Sequence, residues 1–194
     1  MEDFLFYFKL GIEHITDLNG YDHMLLIVAL SVVYPLNEWK KVALVVTAFT
    51  IGHSITLLLA TLKIIHVNSS WIEFLIPVTI FLTAANNVIG LKNKKANENA
   101  ALRYFLALFF GLIHGLGFSN FLRSILGKEA NICWPLLSFN LGLEAGQLVI
   151  VLISMVISFL VFKLLKIKPA LWIGIISGII CLVSILLAIK NIPI

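Results

Sequence analysis

The chain has only two cysteines in 194 residues, Cys133 and Cys181, and they fall in separate apolar segments. That argues against a disulfide framework and against a thiolate metal cluster, both of which need paired or closely spaced cysteines. Charge is equally scarce: 12% of residues are charged against 60% hydrophobic, and mean hydropathy is +1.04. So little polar surface cannot cover a water-soluble globule, which places the chain in the membrane class. No nucleic-acid-binding motif is present, so the formal net charge of +4 reads as membrane topology, and no nucleic-acid partner is expected. The opening "MEDFLFYFKLG" has two acids, no basic leading region and only a short apolar stretch before Lys9, which argues against a cleavable signal peptide.

What the chain does have is a series of apolar runs of roughly 20 residues, the length that crosses a hydrocarbon core, with Gly, Ser and Thr interspersed. Such runs span as helices, not as a barrel. The sequence therefore predicts an all-α polytopic membrane helix bundle. It reads as a single integral domain over 1–194, with about six transmembrane helices near 20–36, 41–62, 70–91, 99–122, 132–163 and 169–189. Residues 3–17 form a short amphipathic segment that is too short to span and lies at the interface or re-enters the bundle; "DLNG" closes it with a turn.

Of the fourteen basic residues, nine lie in loops after the first, third and fifth spans: Lys40, Lys41, Lys92, Lys94, Lys95, Arg103, Lys163, Lys166 and Lys168. By the positive-inside rule both termini then face away from the cytoplasm. The polar stretch "KNKKANENA" (92–100) reads as a solvated cytoplasmic loop.

Ionisable groups inside spans cost about 2.5–3.5 kcal/mol each at mid-helix and need an explanation. The first span opens on Asp22 and His23. The second embeds His53, with Thr50 and Ser54 near it. The fourth holds His114 between Gly111 and Gly115, and the fifth places Asn140, Glu144 and Gln147 on one face at i, i+4, i+7. At about 1.5 Å per residue, His53, His114, Glu144 and His23 lie roughly 14, 12, 18 and 5 Å from the outer ends of their helices, which allows them to converge. Imidazoles with carboxylates are the donor set of a divalent transition-metal site, suited to nickel, cobalt, zinc or iron. Adjacent residues on a helix point about 100° apart, so Asp22 and His23 have different roles. Other polar groups read structurally. Ser70 to Glu73 is a capping box at a helix start, Asn86 and Asn87 hydrogen-bond between helices, and His66 is a solvated loop residue. Gly111 and Gly115, like Gly142 and Gly146, are small-residue pairs that let helices pack closely.

Four ordered stretches, "LGIEHITDLNGYDHMLLI", "FTIGHSITL", "GLIHGLGFS" and "FNLGLEAGQ", together resemble the HupE/UreJ family of small bacterial membrane proteins, regarded as nickel permeases or related metal transporters. The likeness runs from about residue 5 to residue 150. It implies that His14, Asp22 and His23 form the family's leading histidine/Asp-His motif, and that His53, His114 and Glu144 match its later polar positions. The seven residues from Ile15 to Tyr21 exceed the usual spacing and bring in Asp17.

The favoured reading is a nickel-type transporter in the bacterial inner membrane, with zinc or cobalt as other candidate ions. The ion passes His14, Asp17 and Asp22 and exchanges water for His23, His53, His114 and Glu144. Its partners are the bilayer and the ion, with a homo-oligomer possible. Below that site the sequence offers only Thr47, Asn86, Asn87 and scattered hydroxyls, and no continuous polar path. Three alternatives stand beside it: an intramembrane zinc hydrolase using Glu144 or Asp22 as base, a non-transporting metal-binding accessory protein, and a proton relay through the histidines. The absence of an HExxH pair counts against the hydrolase.

Overall fold

A computed structural model of the chain describes residues 2–18, 20–92, 100–126 and 132–193. They form seven α-helices and, among the described residues, no strand. These are α1 (Glu2–Thr16), α2 (Asp22–Ser31), α3 (Trp39–Thr61), α4 (Ser69–Lys92), α5 (Ala100–Leu126), α6 (Cys133–Leu164) and α7 (Pro169–Lys190), with one 3-10 turn (Leu36–Glu38) before α3. The expected polar loop after α4 lies, from 93 to 99, outside the described residues.

Helices α3 to α7 are long and apolar enough to cross a membrane. Their bounds match the expected spans closely, except that α5 runs on to Leu126 rather than stopping near 122. The first expected span, 20–36, is different. Its helix α2 has ten residues, about 15 Å of rise, or half a hydrocarbon core. It ends there because Pro35 disfavours helical geometry at Tyr34 and has no N–H to give the Ser31 carbonyl.

Helix α1 supplies the missing length. Ser138 on α6 donates to the Phe4 carbonyl, a Cβ on Gly142 would strike the Phe8 carbonyl, and one on Gly146 would lie 3.5 Å from the Ile12 Cα. Steps of four on α1 thus match steps of four on α6, so the two helices run parallel in contact. Helix α2 meets α6 further along, where Ser31 donates to Ser154 at 2.9 Å. We read α1 and α2 as one interrupted crossing, broken between Thr16 and Asp22. The N-terminal segment is therefore packed in the bundle and does not lie flat at an interface.

A second parallel pair, α3 with α5, is equally close. Cβ atoms on Gly52, Gly111 and Gly115 would collide with the carbonyls of Leu108, Phe49 and His53 respectively. Missing side chains let the backbones touch, which is how helices associate where lipid removes the hydrophobic incentive. Helix α4 pairs with α7 in the opposite sense, Asn191 near the end of α7 donating to the Glu73 carbonyl near the start of α4 at 3.2 Å.

Burial is inverted relative to a soluble protein. On α7 the buried residues are Ser177, Ile180 and Ser184, while Leu171, Ile175, Ile179, Leu182, Leu186 and Ile189 are exposed. Small polar residues face helices and large apolar ones face outward, as a lipid solvent requires.

Candidate metal centre

The interruption between α1 and α2 delivers two histidines to one place. His14 sits in the last turn of α1 and His23 in the first turn of α2. The glycine contacts of α3 with α5 bring His53 and His114 alongside, since Gly115 rests on the His53 carbonyl itself. Four helices thus contribute one imidazole each.

Nitrogen atoms of His14, His23 and His53 all lie within 4.8 Å of one another. Metal–nitrogen bonds of about 2.0–2.1 Å bring ligand nitrogens about 3–3.5 Å apart, so small side-chain rotations suffice to close the set on an ion. His114 stands beside this trio, its ring 5.1 Å from that of His23. His23, His53 and His114 are buried and His14 is partly buried.

Hydrogen bonds fix the tautomers of two rings. His23 Nδ1 donates to Asp22 Oδ1 at 3.0 Å, and His114 Nδ1 donates to the Phe110 carbonyl at 2.9 Å. A carboxylate and a carbonyl only accept, so the proton of each neutral ring is on Nδ1 and Nε2 carries the lone pair. The Nε2 atoms of His14, His23, His53 and His114 are all buried with no hydrogen-bond partner among the described residues. An unmet buried polar atom costs about 1–3 kcal/mol, and four together fit a shared electrophile. The Asp22–His23 pair also has the form of the carboxylate–histidine–metal arrangement that orients a ligand ring.

Aromatic rings wall the site. Phe118 lies 3.9 Å from the His14 ring and stacks on Phe139 at 5.1 Å, and Phe49 is 5.2 Å from His114. None of the three was singled out from sequence. The available signal was spacing, since Phe49 precedes His53 by four residues and Phe118 follows His114 by four, which places them on the same helix faces. A cavity of about 870 Å³ opens onto the cluster, with His14, His23 and His114 in its wall and Glu13, Asp17, Asp22 and Glu73 around it.

Not every expected member of the site is here. Glu144 lies outside the close group: its Oε1 accepts from Thr47 at 2.6 Å, six residues along α3 from His53. Gln147 Oε1 accepts from Thr50 at 2.7 Å, Ser54 donates to the Thr50 carbonyl at 2.7 Å, and the Asn140 amide donates to the Leu136 carbonyl at 2.8 Å. Gln147 and Thr50 thus join Glu144 and Thr47 between α3 and α6, while the Ser54 and Asn140 bonds stay within their own helices. Asp17 is exposed in the cavity wall, where an access role had been expected.

The capping box is also corrected. Asn68 caps α4, accepting from the Ser70 N–H at 2.9 Å, and Glu73 is left exposed beside the cavity. Asn87 does bond between helices, to the Ala29 carbonyl at 2.7 Å, and His66 is an exposed loop residue.

Among known proteins, the family model described as "HupE / UreJ protein" matches residues 1–191. No curated protein and no solved structure matches the chain.

Proposed function

Since the chain belongs to the HupE/UreJ family, we propose that it moves a divalent transition-metal ion, nickel in the first instance, across the bacterial inner membrane, with both termini on the non-cytoplasmic side. The observation that carries this reading is the convergence of three imidazole nitrogens within 4.8 Å, with two of the rings, His14 and His23, in the wall of an open cavity. Neutral imidazole suits nickel, cobalt and zinc, and Asp22 offsets the ion's charge without displacing a nitrogen. The open cavity supports exchange with the aqueous side. A carrier has to bind its cargo reversibly, and a site reached from an open cavity allows that. Six crossings, counting α1 with α2 as one, put both ends on the same side. The excess of basic residues in the loops following the interrupted crossing, α4 and α6 supports that side being non-cytoplasmic.

The test is uptake of labelled Ni²⁺ and Co²⁺ into proteoliposomes holding the purified chain, alongside elemental analysis before and after mild chelation. Saturable uptake lost in His53→Ala, with metal that strips and reloads readily, supports a carrier. Stoichiometric zinc that survives chelation, with no flux, would instead favour the three-histidine zinc hydrolase.

A further inference from the structure

Helices α4 and α5 run in opposite senses, Asn120 near the end of α5 donating to Ser69 at the start of α4 at 3.2 Å. Toward their other end, where α4 finishes and α5 begins, they part around a cavity of about 470 Å³ that the metal centre does not use. Its α4 wall carries Leu82, Asn86 and Ile89, and its α5 wall Arg103, Leu106 and Phe110. Steps of three and four residues put each set on one helix face. Val45 and Phe110 in its lining are buried, whereas Leu82, Ile89 and Phe109 are exposed. Exposed apolar side chains on spanning helices are lipid contacts, so the cavity is a groove open sideways to the bilayer.

Two polar residues order the groove. Asn86 lies six residues before Lys92, the last residue of α4, and so about 9 Å inside that helix end. It is exposed and, unlike Asn87, makes no side-chain hydrogen bond among the described residues, against the interhelical bond expected of it. An unmatched amide at that depth is costly in hydrocarbon and favours a ligand that offers an acceptor. Arg103 lies three residues into α5, about 5 Å from its start. Its guanidinium stands over the Tyr34 ring, 5.2 Å from the ring centre, and among the described residues it is the one charged group lining the cavity.

From the end of the bundle inward the groove therefore presents a cation, an amide and then hydrocarbon. A phospholipid presents the matching series: phosphate, ester carbonyls and acyl chain. We propose that the α4–α5 groove holds one anionic phospholipid, with its phosphate on Arg103, an ester carbonyl accepting from the Asn86 amide, and an acyl chain along Leu82, Leu106 and Phe110. The planar guanidinium fork suits phosphate oxygens, and basic pockets between spans take anionic head groups. Lys92, Lys94 and Lys95, next in sequence after this face of α4, add to the preference for negative charge. The site does not depend on the transport reading. It does touch the metal centre's support, because Phe110 is the residue whose carbonyl accepts from His114.

Native mass spectrometry of the purified, delipidated full chain, titrated with phosphatidylglycerol or phosphatidylcholine, tests this. Wild type is expected to retain one phosphatidylglycerol in about fivefold preference to phosphatidylcholine, the worth of roughly one basic residue near the head group. Arg103→Gln loses that preference and Arg103→Lys keeps most of it. Asn86→Leu weakens both lipids alike, and Ala85→Trp, which fills the groove, removes both. Lys168→Gln removes a charge just before α7, outside the groove, and leaves retention unchanged. Helix content by circular dichroism is expected to be the same in all. Equal retention of the two lipids by wild type overturns the proposal, as does wild-type preference in Arg103→Gln or an equal loss in Lys168→Gln. A lipid-free dimer of wild type would also overturn it, by showing that a second copy covers the groove.

Discussion

Asp22 Oδ1 accepts two hydrogen bonds from its neighbour His23, one from Nδ1 at 3.0 Å and one from the backbone N–H at 2.9 Å. The carboxylate thus caps the first turn of α2 and orients the imidazole in one gesture. Asp22→Asn keeps the size but removes the charge and leaves an amide that also presents a donor. Ligand-orienting partners of this kind are worth about 10–100-fold in metal affinity. Chelator competition with Co²⁺ is expected to show a loss in that range, with helix content by circular dichroism unchanged. Wild-type affinity in Asp22→Asn would mean that the pair serves the helix and not the ion.

The four histidines are not expected to be equivalent. His14, His23 and His53 form the close group, and His114 stands outside it. Its Nδ1 is already committed to the Phe110 carbonyl, as His23 Nδ1 is to Asp22. Alanine at His53 removes a core donor from the fully buried position and is expected to reduce Co²⁺ affinity more than 100-fold. Alanine at His114 is expected to cost about tenfold. Isothermal titration of the single variants reads the order directly, and equal losses would place His114 in the primary set.

Much of this was legible in the sequence, and the failures have physical causes. Hydropathy and length marked α3 to α7 because lipid forces long apolar runs. His23, His53 and His114 stood out because each is costly where it sits, while His14 came in through the family resemblance. Helix α1 was harder: its exposed Phe4, Leu5 and Phe6 look like an interfacial stripe, and its packing depends on Gly142 and Gly146, more than 120 residues away. Glu144 was misplaced because depth along a helix fixes one coordinate only, and α6 is rotated so that its face meets Thr47 and Thr50 rather than the imidazoles. Glu73 was misread because Asn68, two residues ahead of Ser70, offers the better cap.

The interrupted crossing makes a topological prediction. With α1 and α2 counted together, the chain crosses six times, so reporter fusions at the two ends share one side. A periplasmically active reporter is expected to work at both termini, and a cytoplasmic one to work in the loop between α4 and α5. Opposite-side termini would mean that α1 and α2 do not form a single crossing.

The last prediction separates packing from chemistry. Gly142 has no ligand role, yet a Cβ there would run into the Phe8 backbone carbonyl, with the Phe8 Cα 3.0 Å away. Backbone cannot move aside like a flexible side chain, so Gly142→Ala has to push α1 away from α6. Overpacking of this kind costs about 1–3 kcal/mol. The displacement also draws His14 off the cluster, because His14 rides on α1. Gly178→Ala is the control: nothing lies within 4 Å of a Cβ there, and alanine is the better helix former. Thermal unfolding in detergent is expected to show a lower midpoint for Gly142→Ala and an unchanged or raised one for Gly178→Ala. Cobalt affinity should fall in the former alone. A Gly142→Ala chain that is destabilised yet binds cobalt normally would show that α1 packs on α6 without delivering His14 as a ligand, leaving His23, His53 and His114 to hold the ion.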